Sequence, residues 1–67
     1  MNMFLDIVMA NYKVLRDLQI NNLKDCITKH PRRFLMNPDR FSAILDKYDT
    51  EDLIRCIQKN SAVLDKL

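Results

Sequence analysis

The chain has 67 residues, of which 48% are hydrophobic and 30% charged, and its formal net charge is +2. This length allows one domain, and a core of this size provides only marginal stability. The composition is typical of a globular protein. The absence of glycine argues against tight hairpins and phosphate-binding loops, so helices joined by short polar turns remain.

Residues 1–10 are mostly apolar, but no basic segment precedes them and Asp6 interrupts the run. A secretory signal peptide begins with basic residues, and a helix that crosses a membrane needs about 18 to 20 apolar residues in a row. We therefore expect no export, no contact with membranes, and a reducing, cytoplasmic location.

The first predicted helix covers residues 2–18 and carries a wide apolar face. Its apolar arc spans about 200°, against the roughly 100° stripe of an ordinary surface helix. One neighbouring helix cannot cover this arc. Either the helix runs through the middle of the fold, or part of it is kept for a partner or a second copy of the chain. The predicted partner-binding apolar residues are Phe4, Leu5, Met9 and Tyr12.

Three further helices are predicted, at about residues 22–30, 38–48 and 51–66. The second ends before Pro31, because proline disfavours helical dihedrals in the residue that precedes it. The third begins after Asn37, a residue type that caps free N–H groups, and the acidic turn at residues 49–52 provides caps for the fourth. The prediction is an all-α single domain over residues 1–67, a small bundle of about four short helices.

A weak internal similarity recurs at a spacing of 30 residues. Five of the aligned pairs are identical, and one of them joins the only two cysteines, Cys26 and Cys56. Such a period is typical of two stacked helical hairpins. Amphipathic helix pairs with equal turns share the same apolar spacing, so duplication and coincidence both stay open. Each cysteine falls on an apolar stripe, and we expect both to be buried.

The sequence predicts no enzyme, cofactor or metal site. Cys26 and His30 could meet across one helical turn, but no third residue is evident that would orient the histidine. The cysteines lack the CxxC spacing of zinc sites, and the acidic residues around the turn at 49–52 lack the spacing of a calcium loop.

The basic residues are concentrated in the first part of the chain. Residues 1–40 carry seven Lys or Arg and four Asp, a net charge of +3, whereas residues 41–67 carry four basic and five acidic residues, a net charge of −1. A cluster of this kind binds an acidic protein surface or phosphate, or it is a solvated turn. The predicted basic contacts are Lys29, Arg32, Arg33 and Arg40.

Two functions from different classes agree with these patterns. The first is a small regulatory protein–protein interaction module, an inhibitor or adaptor of the kind that phages and mobile elements encode. It binds a larger protein through the first helix and the basic cluster, and it is compatible with a homodimer. The alternative is a helical nucleic-acid-binding regulator in which the third and fourth helices form a helix-turn-helix-like pair. Glu51 and Asp52 count against this alternative, because they would face the phosphate backbone.

Overall fold

The computed structural model describes residues 3–67, which form helices joined by short turns. In chain order the helices are α1 (Met3–Asp17), α2 (Leu23–Lys29), α3 (Pro31–Phe34), α4 (Pro38–Leu45), α5 (Thr50–Lys59) and α6 (Val63–Lys66). Four of them have seven or more residues, and the described residues contain no strand. The predicted all-α fold is therefore confirmed. The predicted helix start at residue 2 lies outside the described residues.

Local sequence signals explain where α4 and α5 begin. The Oδ1 atom of Asn37 accepts a hydrogen bond from the backbone N–H of Asp39 at 2.9 Å. In the same way, Oδ1 of Asp49 accepts a hydrogen bond from the N–H of Asp52 at 3.1 Å. Both side chains satisfy N–H groups of the first turn that have no partner inside the helix.

Two predicted helices end or break earlier than expected. α4 ends at Leu45 rather than Tyr48, because the N–H of Tyr48 bonds to the carbonyl of Leu45, three residues back, as in a tight turn. The predicted helix over residues 51–66 is divided at Asn60, whose backbone is extended (φ −154°, ψ 109°). The Asn60 side chain accepts a hydrogen bond from the N–H of Ala62 at 3.0 Å. Asparagine competes with helical hydrogen bonding in this way.

α1 is the central helix of the fold. It contacts α2, α3 and α4, and Asn11 and Leu15 in its second half are fully buried. Every helix contributes to the core around it. The buried apolar residues are Leu15, Ile20, Cys26, Phe34, Phe41, Leu45, Leu53, Ile57 and Leu64.

α4 runs beside the second half of α1 in the same direction. Asn11 binds the carbonyl of Met36, just before α4, and Val14 and Leu18 line one cleft with Leu45, where α4 ends. At a rise of 1.5 Å per residue, the eight residues of α4 extend about 12 Å and the 15 residues of α1 about 22 Å. α4 therefore covers about half of α1 and does not reach its first turns.

The two cysteines lie in different environments, so the expectation that both are buried is wrong. Cys26 is buried, whereas Cys56 is exposed. α5 presents Leu53 and Ile57 to the core. Successive residues are about 100° apart around a helix, so Cys56, next to Ile57, lies on the outer side of α5.

Candidate functional site

Four large apolar side chains at the start of α1 are exposed, and together they form the N-terminal strip: Met3, Phe4, Leu5 and Met9. Their exposed fractions are 75%, 70%, 55% and 49%. The next turns of the same helix are buried, since Leu15 has no exposed surface. A group of exposed apolar side chains on a small domain marks an interaction surface more often than single ones do.

The position of Phe4 along α1 explains why its side chain is exposed. Val8, Asn11 and Leu15 follow Phe4 at one-turn steps on the same face of α1. Val8 packs against the core, and Asn11 and Leu15 are buried in it. Phe4 lies one turn before this covered region, so the face that packs on the core continues beyond the helices that cover it.

Of the predicted apolar contacts, Phe4, Leu5 and Met9 lie together in the strip, and Met3 extends it. Tyr12 is half-buried and packs against the core. Its ring therefore serves mainly the fold, and the exposed surface ends near Met9.

The predicted basic residues are divided between the solvent and the fold. Lys29, Arg32 and Arg40 are exposed. Arg33 is partly buried and is held inside the molecule: its Nη2 donates to the backbone carbonyl of Asp65 at 2.7 Å, and its Nε lies 3.7 Å from Oδ1 of Asp65. Of the four predicted basic residues, three thus remain exposed, at the end of α2, on α3 and on α4.

Asp65 joins the last helix to the middle of the chain. Besides Arg33, it binds His30, whose Nδ1 lies 2.5 Å from Oδ2 of Asp65. These contacts attach α6 to the junction between α2 and α3. Sequence reasoning placed His30 at a helix end but missed its partner, because the two residues are 35 positions apart and no local pattern connects them.

Two asparagines also connect distant parts of the chain, and sequence reasoning missed both of these contacts. Nδ2 of the fully buried Asn11 donates to the carbonyls of Phe34 (2.9 Å) and Met36 (2.8 Å). Nδ2 of Asn22 donates to the carbonyl of Ile57 at 2.8 Å. Carbonyls near the end of a helix have no partner inside that helix. The signal for Asn11 was its place among apolar residues on the inner face of α1.

The Cys26 and His30 pair offers no activated nucleophile. Cys26 has no exposed surface, and burial raises the pKa of its thiol above the ordinary value, with the charge of Asp25 adding to this effect. A raised pKa leaves less of the reactive thiolate at neutral pH. The imidazole of His30 binds Asp65 instead.

Residues 3–67 contain neither a cluster of metal ligands nor a helix that could cross a membrane. This part of the chain contains no group of three or more His, Cys, Asp or Glu that could hold a metal ion. None of its helices combines the length and the apolar character needed to cross a membrane. Comparison with protein-family models, curated proteins and solved structures finds no match. The function is therefore argued from the exposed surface.

Proposed function

We propose that this protein is a small regulatory interaction module, an inhibitor or adaptor, that binds a larger protein through the N-terminal strip. The observation that carries the proposal is the group of large apolar side chains exposed at the start of α1: Met3, Phe4, Leu5 and Met9 are half to three-quarters exposed. Phe4 also continues the inner face of α1 beyond the helices that cover it. Apolar anchors on one end of a helix are the feature that helix-in-groove partners recognise. The proposed place of action is the cytoplasm, because both cysteines are free.

The size of the strip indicates what else the partner must contact. Complete burial of one Leu, Phe or Met side chain contributes about 1.5–3 kcal/mol, so four partly exposed ones contribute roughly 4–8 kcal/mol. Association itself costs about 4–15 kcal/mol in lost freedom of motion. The strip alone therefore supports weak binding, and further contacts must add to it.

The exposed basic residues Lys29, Arg32 and Arg40 are the proposed further contacts. Arg32 lies on α3 and Arg40 on α4, and the connection between these helices is bound by Asn11 in the middle of α1. We therefore propose that Arg32 and Arg40 lie at the rim of the apolar surface, with Lys29 at the end of α2 as a third contact. The partner that fits is a protein with an apolar groove edged by acidic side chains, which would also accelerate association.

Two features favour protein over nucleic acid as the partner. Arg33 is engaged by Asp65 within the chain, so the basic cluster is smaller than the sequence suggests. Glu51 and Asp52 are exposed in the first turn of α5, the helix that would enter a DNA groove. Their charges oppose the approach of phosphates.

The test compares two variants that introduce the same charge at exposed positions. Met9→Asp places a carboxylate in the strip, and Ala43→Asp places one on α4, away from it. The tagged chain captures its partner from cell extract, and titration calorimetry with the purified partner then measures each affinity. Met9→Asp should weaken binding about tenfold or more, because an anchor is replaced by a charge that must lose its water. Ala43→Asp should leave the affinity unchanged.

Circular dichroism of both variants establishes that each is folded. Equal affinities for Met9→Asp and the unaltered chain would contradict the proposal, as would repeated capture without any protein partner. Recovery of nucleic acid whose binding weakens steeply with salt would favour the alternative function instead.

A further inference from the structure

The two halves of the chain have the same order of elements. The first unit consists of α1, α2 and α3, and the second unit of α4, α5 and α6. α2 ends at Lys29 and α5 at Lys59, which is the 30-residue spacing of the sequence similarity. Three pairs of positions at this spacing are buried in both units: Asn11 with Phe41, Leu15 with Leu45, and Phe34 with Leu64.

The units also lie side by side in the same direction. At the start of α2, Asn22 donates to the carbonyl of Ile57, and just after its end His30 binds Asp65. α2 is therefore attached to the second unit at both ends. Cys26 lies midway between these two attachments and has no exposed surface.

The position in the second unit that corresponds to Cys26 is uncovered. Cys56 is exposed and lines an apolar hollow of about 240 Å³ on the outer side of the second unit. Its apolar lining is Tyr48, Leu53, Cys56, Val63 and Leu67, and Asp49 and Asp52 stand at its edge. The second unit therefore leaves open to the solvent the position that is buried in the first unit.

The first unit has the complementary feature. Besides the packing of α4 against α1, the second unit contacts the first through Ile57 and Asp65. The positions 30 residues earlier are Leu35, which is 48% exposed, and Ile27, which is half-buried. The first unit thus has an uncovered apolar edge where the second unit has a covered contact.

We infer that the hollow of the second unit receives the Ile27 and Leu35 edge of a second copy of this chain, which stacks on it as the second unit stacks on the first. Charge favours this head-to-tail arrangement. Apart from Arg33, which binds Asp65 within the chain, α2 and α3 carry three basic side chains and one acidic one, whereas residues 49–52, beside the hollow, include three acidic ones. Two hollows facing each other would bring like charges together.

This contact goes beyond the proposed function and uses other residues than the N-terminal strip. A head-to-tail contact joins different surfaces of the two copies, so each added copy exposes a new hollow. The assembly then grows with concentration rather than stopping at two chains, and salt weakens it because opposite charges face each other.

The first experiment blocks the hollow at Cys56. Sedimentation analysis measures the mean mass over a wide range of concentration, before and after N-ethylmaleimide treatment of the folded chain. The exposed Cys56 reacts and the buried Cys26 does not. The adduct should weaken association about tenfold or more, because it overfills the hollow. Cys56→Ala is the matched control: it should associate normally and should not respond to the reagent.

The second experiment mixes two blocked forms. Leu35→Asp blocks the edge but keeps the hollow, and the alkylated chain keeps the edge but has a blocked hollow. Each alone should be a single chain, and the mixture should form pairs that stop at two. A single chain at all concentrations of the unmodified protein would overturn the inference, and so would a dimer that is indifferent to alkylation. Either result leaves partner binding through the strip untouched, so the two proposals fail separately.

Discussion

Replacement of Asn11 tests how this small fold is held together. Its amide is fully buried and donates to two backbone carbonyls, those of Phe34 at 2.9 Å and Met36 at 2.8 Å. Through these bonds the middle of α1 holds the connection between α3 and α4. Asn11→Ala removes the amide group that donates both hydrogen bonds and leaves both carbonyls without this partner.

The expected loss is large relative to the stability of the domain. A buried polar group that loses its partner costs about 1–3 kcal/mol. The bond to the Phe34 carbonyl is buried and the bond to the Met36 carbonyl partly buried. Their loss, with the small cavity included, should lower the free energy of unfolding by about 3 kcal/mol. At about 0.05–0.15 kcal/mol per residue, a domain of this length has about 3–10 kcal/mol in total. Asn11→Ala should thus remove a third or more of the stability.

Urea unfolding followed by far-ultraviolet circular dichroism measures this loss. The midpoint urea concentration should fall, while the dependence of the free energy of unfolding on urea concentration stays unchanged. Asn22→Ala, which loses one bond, to Ile57, should show about half the effect. Asn21→Ala removes an exposed asparagine and should change the stability by less than about 0.5 kcal/mol. If Asn11→Ala loses no more free energy of unfolding than Asn21→Ala, the hydrogen bonds from Asn11 to the two carbonyls do not stabilise the fold and the reasoning is wrong.

The remaining predictions concern one turn, one thiol and one ion pair. Gln19 has a positive φ of 64°, so Gln19→Gly should raise the free energy of unfolding by up to about 1 kcal/mol in urea titrations, and a loss would show that φ is not strained. The raised pKa of Cys26 means that the folded state favours the protonated thiol. The stability that this provides is complete below the unfolded-state pKa of about 8.5 and falls as pH rises through the folded-state pKa. The free energy of unfolding of Cys26→Ala, measured at several pH values, should lack this decrease. An equal decrease in the variant and the unaltered protein would show that another group causes it. Asp65→Asn weakens the attachment of His30 to α6, so amide exchange in residues 63–66 should become faster, whereas unchanged exchange would show that apolar packing alone holds α6.

Much of the local structure followed from the sequence, because short-range rules govern it. The apolar spacing of 3.6 residues and the absence of glycine predicted an all-α fold. Asn37 and Asp49 begin helices because their side chains accept hydrogen bonds from N–H groups two or three residues later. Pro31 marks the boundary between α2 and α3, as its effect on the preceding residue requires.

The helix ends that were misjudged depend on weaker local competition. The predicted helix over residues 51–66 includes Asn60, but the Asn60 side chain accepts a hydrogen bond that turns the chain there. No proline or glycine marks the helix break at Asn60, and asparagine is tolerated within helices as well as in turns. The outcome depended on which hydrogen bonds the fold made available.

For the candidate site, the sequence by itself determined that α1 has more apolar surface than one neighbour can cover. Only the tertiary structure decided which part is left exposed, because this depends on where α4 lies along α1. The same holds for the two cysteines. Cys26 and Cys56 share their local pattern, and the tertiary packing buries only the first of them. Arg33 is removed from the basic surface by Asp65, a residue 32 positions away. A local pattern determines which side of a helix is apolar, whereas contacts between distant residues determine which apolar and charged side chains reach the solvent.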